Sequence, residues 1–251
     1  MLEVNNLSAG YGGKDIIRGI SFKVQKGESL CILGPNGSGK RTLLKAIARI
    51  IDYRGAVLLE DRDAASFTRK ELAKKIAMHS QSAQMFFPFT IYETVSMGRY
   101  PHIQGFLKNL SVKDMEIIED ILRKLDIWDI KEQMIDELSG GTLQRVFLAR
   151  TFAQTPDIIL LDEPANHLDL KHQIELLDFL KTWTSENNKT LISVFHDLTM
   201  AQRFSGTAIV LDNGAAAAGG PIGEILNGKA VESVYGMDIR KYMKESLEIW
   251  K

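Results

Sequence analysis

The sequence has little of several features that would assign it to a special class of protein. It holds one cysteine in 251 residues, which excludes an internal disulfide framework and favours a reducing compartment. Its 31 basic and 32 acidic residues nearly cancel, so the charge does not predict a nucleic-acid-binding surface. No stretch approaches the roughly eighteen apolar residues of a membrane-spanning helix, and the N-terminus does not resemble a secretion signal. We therefore expect a cytosolic protein that acts at a membrane only through partners.

Proline is also scarce, with 6 residues, whereas 45% of the chain is apolar. A chain of this length and composition can bury a large core of its own. We find neither an internal repeat nor a linker, which predicts one folded unit over residues 1–251. The single cysteine, Cys31, lies in an apolar run and is predicted to be a small buried hydrophobe rather than a reactive thiol.

The most informative stretch runs from Ser29 to Arg49. An apolar run, Leu30–Leu33, precedes a loop with three glycines, and apolar residues recur at helical spacing after Lys40. A strand, a glycine-rich turn and a helix start are what a phosphate-binding loop requires, because the backbone N–H groups turn inward and the helix N-terminus adds a positive field. The alternative is a glycine-rich hairpin with a chance lysine. The loop residues predicted to bind nucleotide are Gly34, Pro35, Asn36, Gly37, Ser38, Gly39, Lys40, Arg41 and Thr42.

The last two positions of this motif are Lys40, which matches it, and Arg41, which does not. Lys40 supplies the point charge for the β- and γ-phosphates, but Arg41 stands where the motif has the Ser or Thr that ligates Mg²⁺. A guanidinium offers only donors and a fixed positive charge, so Arg41 cannot ligate the metal. Thr42 lies about 100° further round the helix and is expected to bond the α-phosphate. We therefore expect nucleotide binding that depends less on Mg²⁺, with slow hydrolysis.

A second buried strand ends in two carboxylates. The aliphatic run Asp157–Leu161 is typical of a strand covered on both faces, and Asp162 and Glu163 follow it. Ligands of α/β sheets bind at this end of the strands, so Asp162 is placed to hold Mg²⁺ and Glu163 to polarise an attacking water. The alternative is a pair of helix-capping acids. His196 follows another buried strand, Leu191–Phe195, and is either functional or a packed or surface histidine.

Other periodicities predict the elements around these motifs. Leu2–Leu7 and Gly19–Val24 alternate as strands, with Tyr11 in the turn between them as a core residue or a platform for a nucleotide base. Ser111–Asp126 has the apolar face of an amphipathic helix. The chain is predicted to be helical over about 84–155, as an insertion in an α/β domain.

Taken together, the motifs resemble those of the ATP-binding cassette ATPases in order and approximate spacing. They are Tyr11, GPNGSGK at Gly34–Lys40, Gln81, LSGG at Leu138–Gly141, LLDEP at Leu160–Pro164, Asn166-His167-Leu168-Asp169 and His196. The resemblance covers nearly the whole chain. It implies a P-loop NTPase core with a mostly parallel sheet, an N-terminal antiparallel β subdomain and an inserted helical subdomain.

The resemblance also implies a role for each matching residue, with ATP and Mg²⁺ as cofactors. Tyr11 would stack on adenine, and Asp169 would communicate between two sites. Glu163, His196 and Gln81 would be the catalytic glutamate, the switch histidine on the γ-phosphate and the glutamine that senses metal and water. Gln81 and Asp162 would serve the metal. The signature residues Ser139, Gly140 and Gly141 would reach the γ-phosphate across a dimer.

One cassette without a membrane span resembles the separate ATPase subunit of an importer. This implies a second copy packed head to tail, transmembrane permease subunits at the cytoplasmic face of the cell membrane, and indirectly an extracytoplasmic substrate-binding protein. Met97–Pro101 is similar to the ATPases serving iron-siderophore, haem and cobalamin permeases. The aromatic segment Met85–Pro101 reads equally as core or as docking surface. We predict that Phe86, Phe87, Phe89 and Tyr100 include partly exposed residues that receive a short helix from the permease.

Two other functions compete with this one. An ATP-binding regulatory or structural subunit with weak hydrolysis is favoured by two departures from the family motifs, Arg41 and Thr142. The signature usually has Gln or Glu where this chain has Thr142. A cassette protein acting on DNA or ribosomes is disfavoured by the single cassette and by the absence of a basic stripe, and we expect no nucleic acid partner.

Overall fold

A computed structural model describes residues 1–80, 88–103, 109–166 and 168–248. The strands in these ranges are β1 (Leu2–Tyr11), β2 (Lys14–Val24), β3 (Ser29–Leu33), β4 (Tyr53–Leu59), β5 (Arg62–Asp63), β6 (Ile76–His79), β7 (Ile158–Asp162), β8 (Thr190–Val194), β9 (Thr207–Asp212) and β10 (Ala215–Pro221). The helices are α1 (Lys40–Ile47), α2 (Arg69–Lys75), α3 (Ile91–Ser96), α4 (Val112–Lys124), α5 (Gly140–Ala153), α6 (Leu170–Asn187), α7 (Leu198–Phe204), α8 (Ile222–Leu226), α9 (Lys229–Tyr235) and α10 (Ile239–Glu248). The predicted α/β class is confirmed.

The chain divides into two compact units, the first formed by Met1–Ala65 and Ile192–Lys251 and the second by Ser66–Leu191. The first unit contains an antiparallel sheet in the order β2-β1-β4-β5. Burial alternates along β1 from Leu2, as expected for a strand with one face on a core. This sheet is the predicted N-terminal antiparallel part.

The first unit also contains strands in the order β10-β9-β3-β8. β3 runs parallel to β9, with Leu30 opposite Thr207 and Leu33 opposite Val210. Residues 30–33 of β3 are all buried, which explains their continuous aliphatic sequence. Because the strand is covered on both faces, its C-terminal end is the part of it left to meet a ligand.

The second unit carries β6 and β7 as a parallel pair, with Ile76 opposite Ile158 and His79 opposite Leu161. β8 begins in this unit, where the N–H of Thr190 donates to the carbonyl oxygen of Asp157 at 3.0 Å. Helices α3, α4 and α5 lie between β6 and β7 in the sequence. All five residues of β7 are buried, as its aliphatic run predicts.

A buried ion pair fixes the Met97–Pro101 segment. Arg99 Nε donates to Asp114 Oδ1 at 2.8 Å, and Arg99 Nη1 donates to the Ala153 carbonyl at 2.6 Å and to Thr155 Oγ1 at 2.9 Å. Burial opposes the charge on Asp114, but hydrogen bonds from Ser111 and Arg99 outweigh it and lower the pKa of Asp114 to about 2. Arg99 is buried and Tyr100 is 63% exposed, so this segment is core at one residue and surface at the next.

Two local results extend the sequence predictions. The helix predicted over Ser111–Asp126 is α4, which begins after Ser111 because that side chain caps it by accepting from Asp114 N–H. β10 is not indicated by the sequence, since alanine and glycine have low strand propensity. It forms because Asn213 and Gly214, with φ of 45° and 83°, make a tight hairpin after β9.

None of the helices found in the described ranges has the length and apolar character needed to cross a membrane.

His79, the last residue of β6, is a titratable group in the core. It is 3% exposed, and its Nε2 has no hydrogen-bond partner in the part of the chain that the structure describes. Burial, with the nearby positive charge of Arg150, lowers the pKa of His79 from 6.5 to about 4. The folded protein therefore holds this imidazole neutral where the unfolded chain would protonate it.

This histidine is expected to make the protein sensitive to acid. Between its unfolded pKa of 6.5 and its folded pKa of about 4, the unfolded state binds the extra proton, so stability falls as the pH falls through this range. On the order of 2 kcal/mol of unfolding free energy should be lost between pH 7 and pH 5. Urea unfolding at both pH values should show that His79→Leu reduces the loss by this amount. An equal loss in both proteins would contradict the assignment.

Candidate functional site

The loop after β3 follows a path that only glycine allows at two positions. Gly34 has φ of 140°, and a Cβ there would lie 2.2 Å from the Leu211 carbonyl oxygen and 2.8 Å from Ser38 Oγ. Gly39, which precedes α1, has φ of 99°, and a Cβ there would lie 2.5 Å from Ile17 Cγ2. Side chains are excluded at both positions by strain and by contact. The predicted strand, turn and helix start are confirmed.

Lys40, the first residue of α1, turns its ammonium group back onto this loop. The side chain is buried, and Nζ donates to the carbonyl oxygens of Gly34 at 2.7 Å and Pro35 at 2.8 Å. A buried ammonium is stable only with such acceptors. The loop therefore holds a positive charge at a fixed place.

The chemistry of the loop fits a phosphate group. Ser38 is 2% exposed, and its Oγ has no hydrogen-bond partner among the residues that the structure describes. α1 starts at Lys40 and has no acid in its first turn. A hydroxyl in need of a partner, a helix N-terminus and a buried ammonium group all favour an anion. These residues could hold the phosphates of a nucleotide.

Arg41 and Thr42 face different surroundings. Arg41 is exposed on the first turn of α1, and Thr42 is buried. Over residues 1–80, 88–103, 109–166 and 168–248, no three His, Cys, Asp or Glu side chains are grouped for a metal ion. Mg²⁺ in nucleotide sites is held by one or two carboxylates, phosphate oxygens and water. A magnesium ion would therefore depend on the nucleotide and on few groups of this chain.

Two other predicted residues of the first unit are exposed. Tyr11 ends β1 with 48% of its surface accessible, and Lys45 Nζ of α1 lies 6.0 Å from its ring centroid. This exposure is not that of a core residue. His196 is also exposed and follows Phe195, whose N–H donates to the Ile32 carbonyl of β3 at 3.4 Å. The structure thus brings Tyr11 close to the loop helix α1 and His196 to the strand that precedes the loop.

In the second unit, β7 ends in the two predicted carboxylates. Asp162 is 1% exposed, and Glu163 adopts φ of 55°, in a left-handed region uncommon for residues other than glycine. Asn166 Nδ2 donates to Glu163 Oε2. The alternative role as helix-capping acids is wrong, since α6 is capped by Asp169. Backbone strain of this kind is often found at functional sites.

The signature residues form the N-terminus of α5. Ser139 caps this helix by accepting the N–H of Thr142 at 3.3 Å, and its Oγ lies 2.9 Å from Thr142 Oγ1. Ser139 and Gly140 are exposed, and Gly141 is half-buried. The helix start is therefore open to solvent within the described residues of this unit.

Asp169 lies at the N-terminus of α6. Asp169 is exposed and accepts from the N–H of His172 at 2.9 Å, and the hydrogen bonds from that residue lower the pKa of Asp169.

Gln144 is a buried polar residue that was not predicted from the sequence. It is buried in α5, and its Nε2 donates to the Pro164 carbonyl at 2.5 Å, so it joins the signature helix to the turn after Glu163. The one signal for it is a polar residue in an apolar helical stretch.

Five residues named in the sequence predictions lie outside the described residues: Gln81, Met85, Phe86, Phe87 and His167.

The comparisons with known proteins agree with this arrangement. A family model described as ABC transporter matches residues 17–166. The petrobactin import ATP-binding protein YclP of Bacillus subtilis (strain 168) is 38% identical over 95% of this chain and 94% of its own length. The iron(3+)-hydroxamate import ATP-binding protein FhuC of the same organism is 36% identical, over 94% of this chain and 88% of that protein.

A solved structure is similar as well. The dimeric structure of MJ0796, a bacterial ABC transporter cassette, has a TM-score of 0.78 at 27% identity and covers 88% of this chain and 99% of its own. The resemblance drawn from the motifs is confirmed. The chain belongs to the ABC transporter family and is one of its ATP-binding, ATP-hydrolysing subunits.

Proposed function

We propose that this chain powers a membrane importer of the iron-siderophore, haem or cobalamin type. The observation that carries the proposal is the identity of 38% and 36% to two import ATP-binding proteins, each over at least 94% of the chain. The first is a petrobactin import protein, and the second is an iron(3+)-hydroxamate import protein. The buried Lys40 and the loop around it supply the phosphate site that such a subunit needs.

We infer that the working form is a head-to-tail dimer in which ATP lies between two copies. The N-terminus of α5, with Ser139 and Gly140 exposed, suits an anion brought by a second copy, because a helix N-terminus attracts negative charge and this one has no acid in its first turn. Gly141 continues this helix start, and Asp169 is exposed. The dimeric relative supports this arrangement.

Within that dimer we assign the following roles. Tyr11 stacks on adenine, and Gly34–Thr42 bind the phosphates. Asp162 and Gln81 serve Mg²⁺, Glu163 polarises the attacking water, and His196 contacts the γ-phosphate. Phosphoryl transfer requires mainly positioning and charge neutralisation, so the large share of backbone groups in this set suits the reaction.

The partners in the membrane are permease subunits at its cytoplasmic face, which an extracytoplasmic substrate-binding protein supplies with cargo. Tyr100, Val112 and Met115 are 63%, 68% and 42% exposed, and Tyr100 follows Arg99, which is bonded to Asp114 on α4. Exposed apolar side chains on α4, with Tyr100 next to a residue that is bonded to α4, favour a docking site in this region. Of the predicted set, the described residues are Phe89, which is half-buried, and Tyr100, which is exposed.

Co-purification tests the permease contact. The tagged chain, expressed in its native cell, should bring down a polytopic membrane protein, and Tyr100→Asp should reduce the yield at least fivefold because a charge is costly in an apolar contact. ATP binding by the isolated subunit should not change. Tyr242→Asp, which makes the same change at an exposed tyrosine of α10, is the matched control. Equal yields from both variants would exclude Tyr100 from the contact.

The Glu163 role predicts a trapped dimer. Glu163→Gln keeps the side-chain shape but removes the carboxylate, so ATP should bind while steady-state hydrolysis falls by more than a hundredfold. Size-exclusion chromatography with ATP should then show a dimer. Glu186→Gln, at an exposed position of α6, should hydrolyse ATP like the parent. A Glu163→Gln variant that binds ATP and stays monomeric at high concentration contradicts the role.

Arg41 is the basis of the alternative function, a regulatory or structural subunit with weak hydrolysis, which the similarity to import ATP-binding proteins does not favour. An exposed guanidinium at this position favours ATP by charge but supplies no metal ligand, so ATP affinity should change little when EDTA replaces Mg²⁺. Arg41→Ser should raise turnover at saturating Mg²⁺ by at least tenfold, which is about 1.4 kcal/mol of barrier. Arg41→Ala removes the charge without adding a hydroxyl and should not reproduce the gain. Equal rates for the parent and Arg41→Ser would mean that other groups supply the ligand.

A further inference from the structure

The first glycine of the phosphate-binding loop is held from two directions. The N–H of Gly34 donates to Tyr235 Oη at 3.1 Å, and its carbonyl oxygen accepts from Lys40 Nζ at 2.7 Å. Tyr235 is separated from Gly34 by 201 positions in the sequence. A residue near the C-terminus therefore bonds to the same glycine that holds the phosphate lysine.

Tyr235 is itself fixed in place. It is the last residue of α9, which Val231 anchors with no exposed surface and which Gly236 ends at φ of 67°. Arg240 Nη2 of α10 lies 3.3 Å from Glu232 Oε1. The Tyr235 ring is half-buried, and this burial is the main cause that raises the pKa of its phenol, so the hydroxyl stays neutral at physiological pH. The acceptor for the Gly34 N–H thus has a defined position and charge.

The Gly34 backbone depends on such contacts. Without a side chain, and with φ of 140°, it is placed by what its peptide groups bond and touch, including the close Leu211 carbonyl. Gly34 is buried, so loss of the phenol would leave its N–H without this acceptor. A shift of Gly34 would move the carbonyl oxygen on which the Lys40 ammonium rests.

We propose that Tyr235 is a positioning residue for nucleotide binding, which acts through Gly34 to set the place of the Lys40 ammonium. Helix α9 is then part of the nucleotide site without touching the nucleotide. This inference rests on the proposed binding of nucleotide phosphates at the Gly34–Thr42 loop.

The test is Tyr235→Phe, which removes the acceptor and keeps the ring. The dissociation constant for ADP, measured by calorimetry, and the KM for ATP should each rise about three- to tenfold, the effect of one hydrogen bond. The kcat should stay within about twofold of the parent, because the lost bond holds the binding loop and not the attacking water. A general loss of structure would instead lower kcat and the active fraction with KM unchanged.

Two controls separate positioning from packing. Tyr242→Phe, at an exposed tyrosine of α10, should leave both constants unchanged. Val231→Ala loosens α9 but keeps the hydroxyl, and it should lower the melting temperature without nucleotide by more than Tyr235→Phe does while it changes ADP binding less. Parent-like ADP affinity in Tyr235→Phe would overturn the inference, and so would equal affinity losses in Tyr235→Phe and Val231→Ala. A parent protein that binds no ADP would overturn the proposed function itself.

Discussion

A lysine ammonium removed from water must find oxygen acceptors, and the phosphate-binding loop is arranged around this requirement at Lys40. The acceptors are the carbonyl oxygens of Gly34 and Pro35, at the start of the same loop. The loop can point these carbonyl groups at the ammonium because Gly34 takes a backbone conformation that excludes a side chain. The charge is therefore positioned before any phosphate arrives, so binding need not organise it.

The second unit meets a similar constraint at a carboxylate. Asp162 is buried at the end of β7, and the chain leaves that strand through Glu163 in a left-handed conformation. Such a conformation costs on the order of 1 kcal/mol and persists only where neighbours hold it. The Asn166 side chain donates a hydrogen bond to the Glu163 carboxylate. The Gln144 side chain donates one to the backbone carbonyl of Pro164, the residue after Glu163. The two contacts fix the turn and tie it to the helix that carries the signature residues.

The apolar periodicity of the sequence predicted the strands and the loops that follow them, because these depend on neighbouring residues. The buried strands predicted before the glycine loop, the acid pair and His196 are β3, β7 and β8, each within one residue of its predicted limits. The glycine loop and the acid pair lie at strand ends as expected. The bonds from Tyr235 to Gly34 and from Gln144 to Pro164 join residues distant in sequence, and a single chain carries no periodic signal for such pairs. β10 was missed for another reason, because its pairing comes from the turn before it rather than from its own alanines.

The presence of arginine at position 41 is better explained by an anionic ligand than by any requirement of the fold. Helical geometry turns position 41 outward and position 42 inward, so an arginine at 41 displaces no core side chain, whereas one at 42 would. Its charge, however, joins that of Lys40 in the first turn of α1, where no acid is present. Cations at a helix N-terminus oppose the helix dipole, at about 0.3–1 kcal/mol each. A polyphosphate bound at this turn reverses the sign of that interaction, so two adjacent cations here favour an anionic ligand that no other feature of α1 requires.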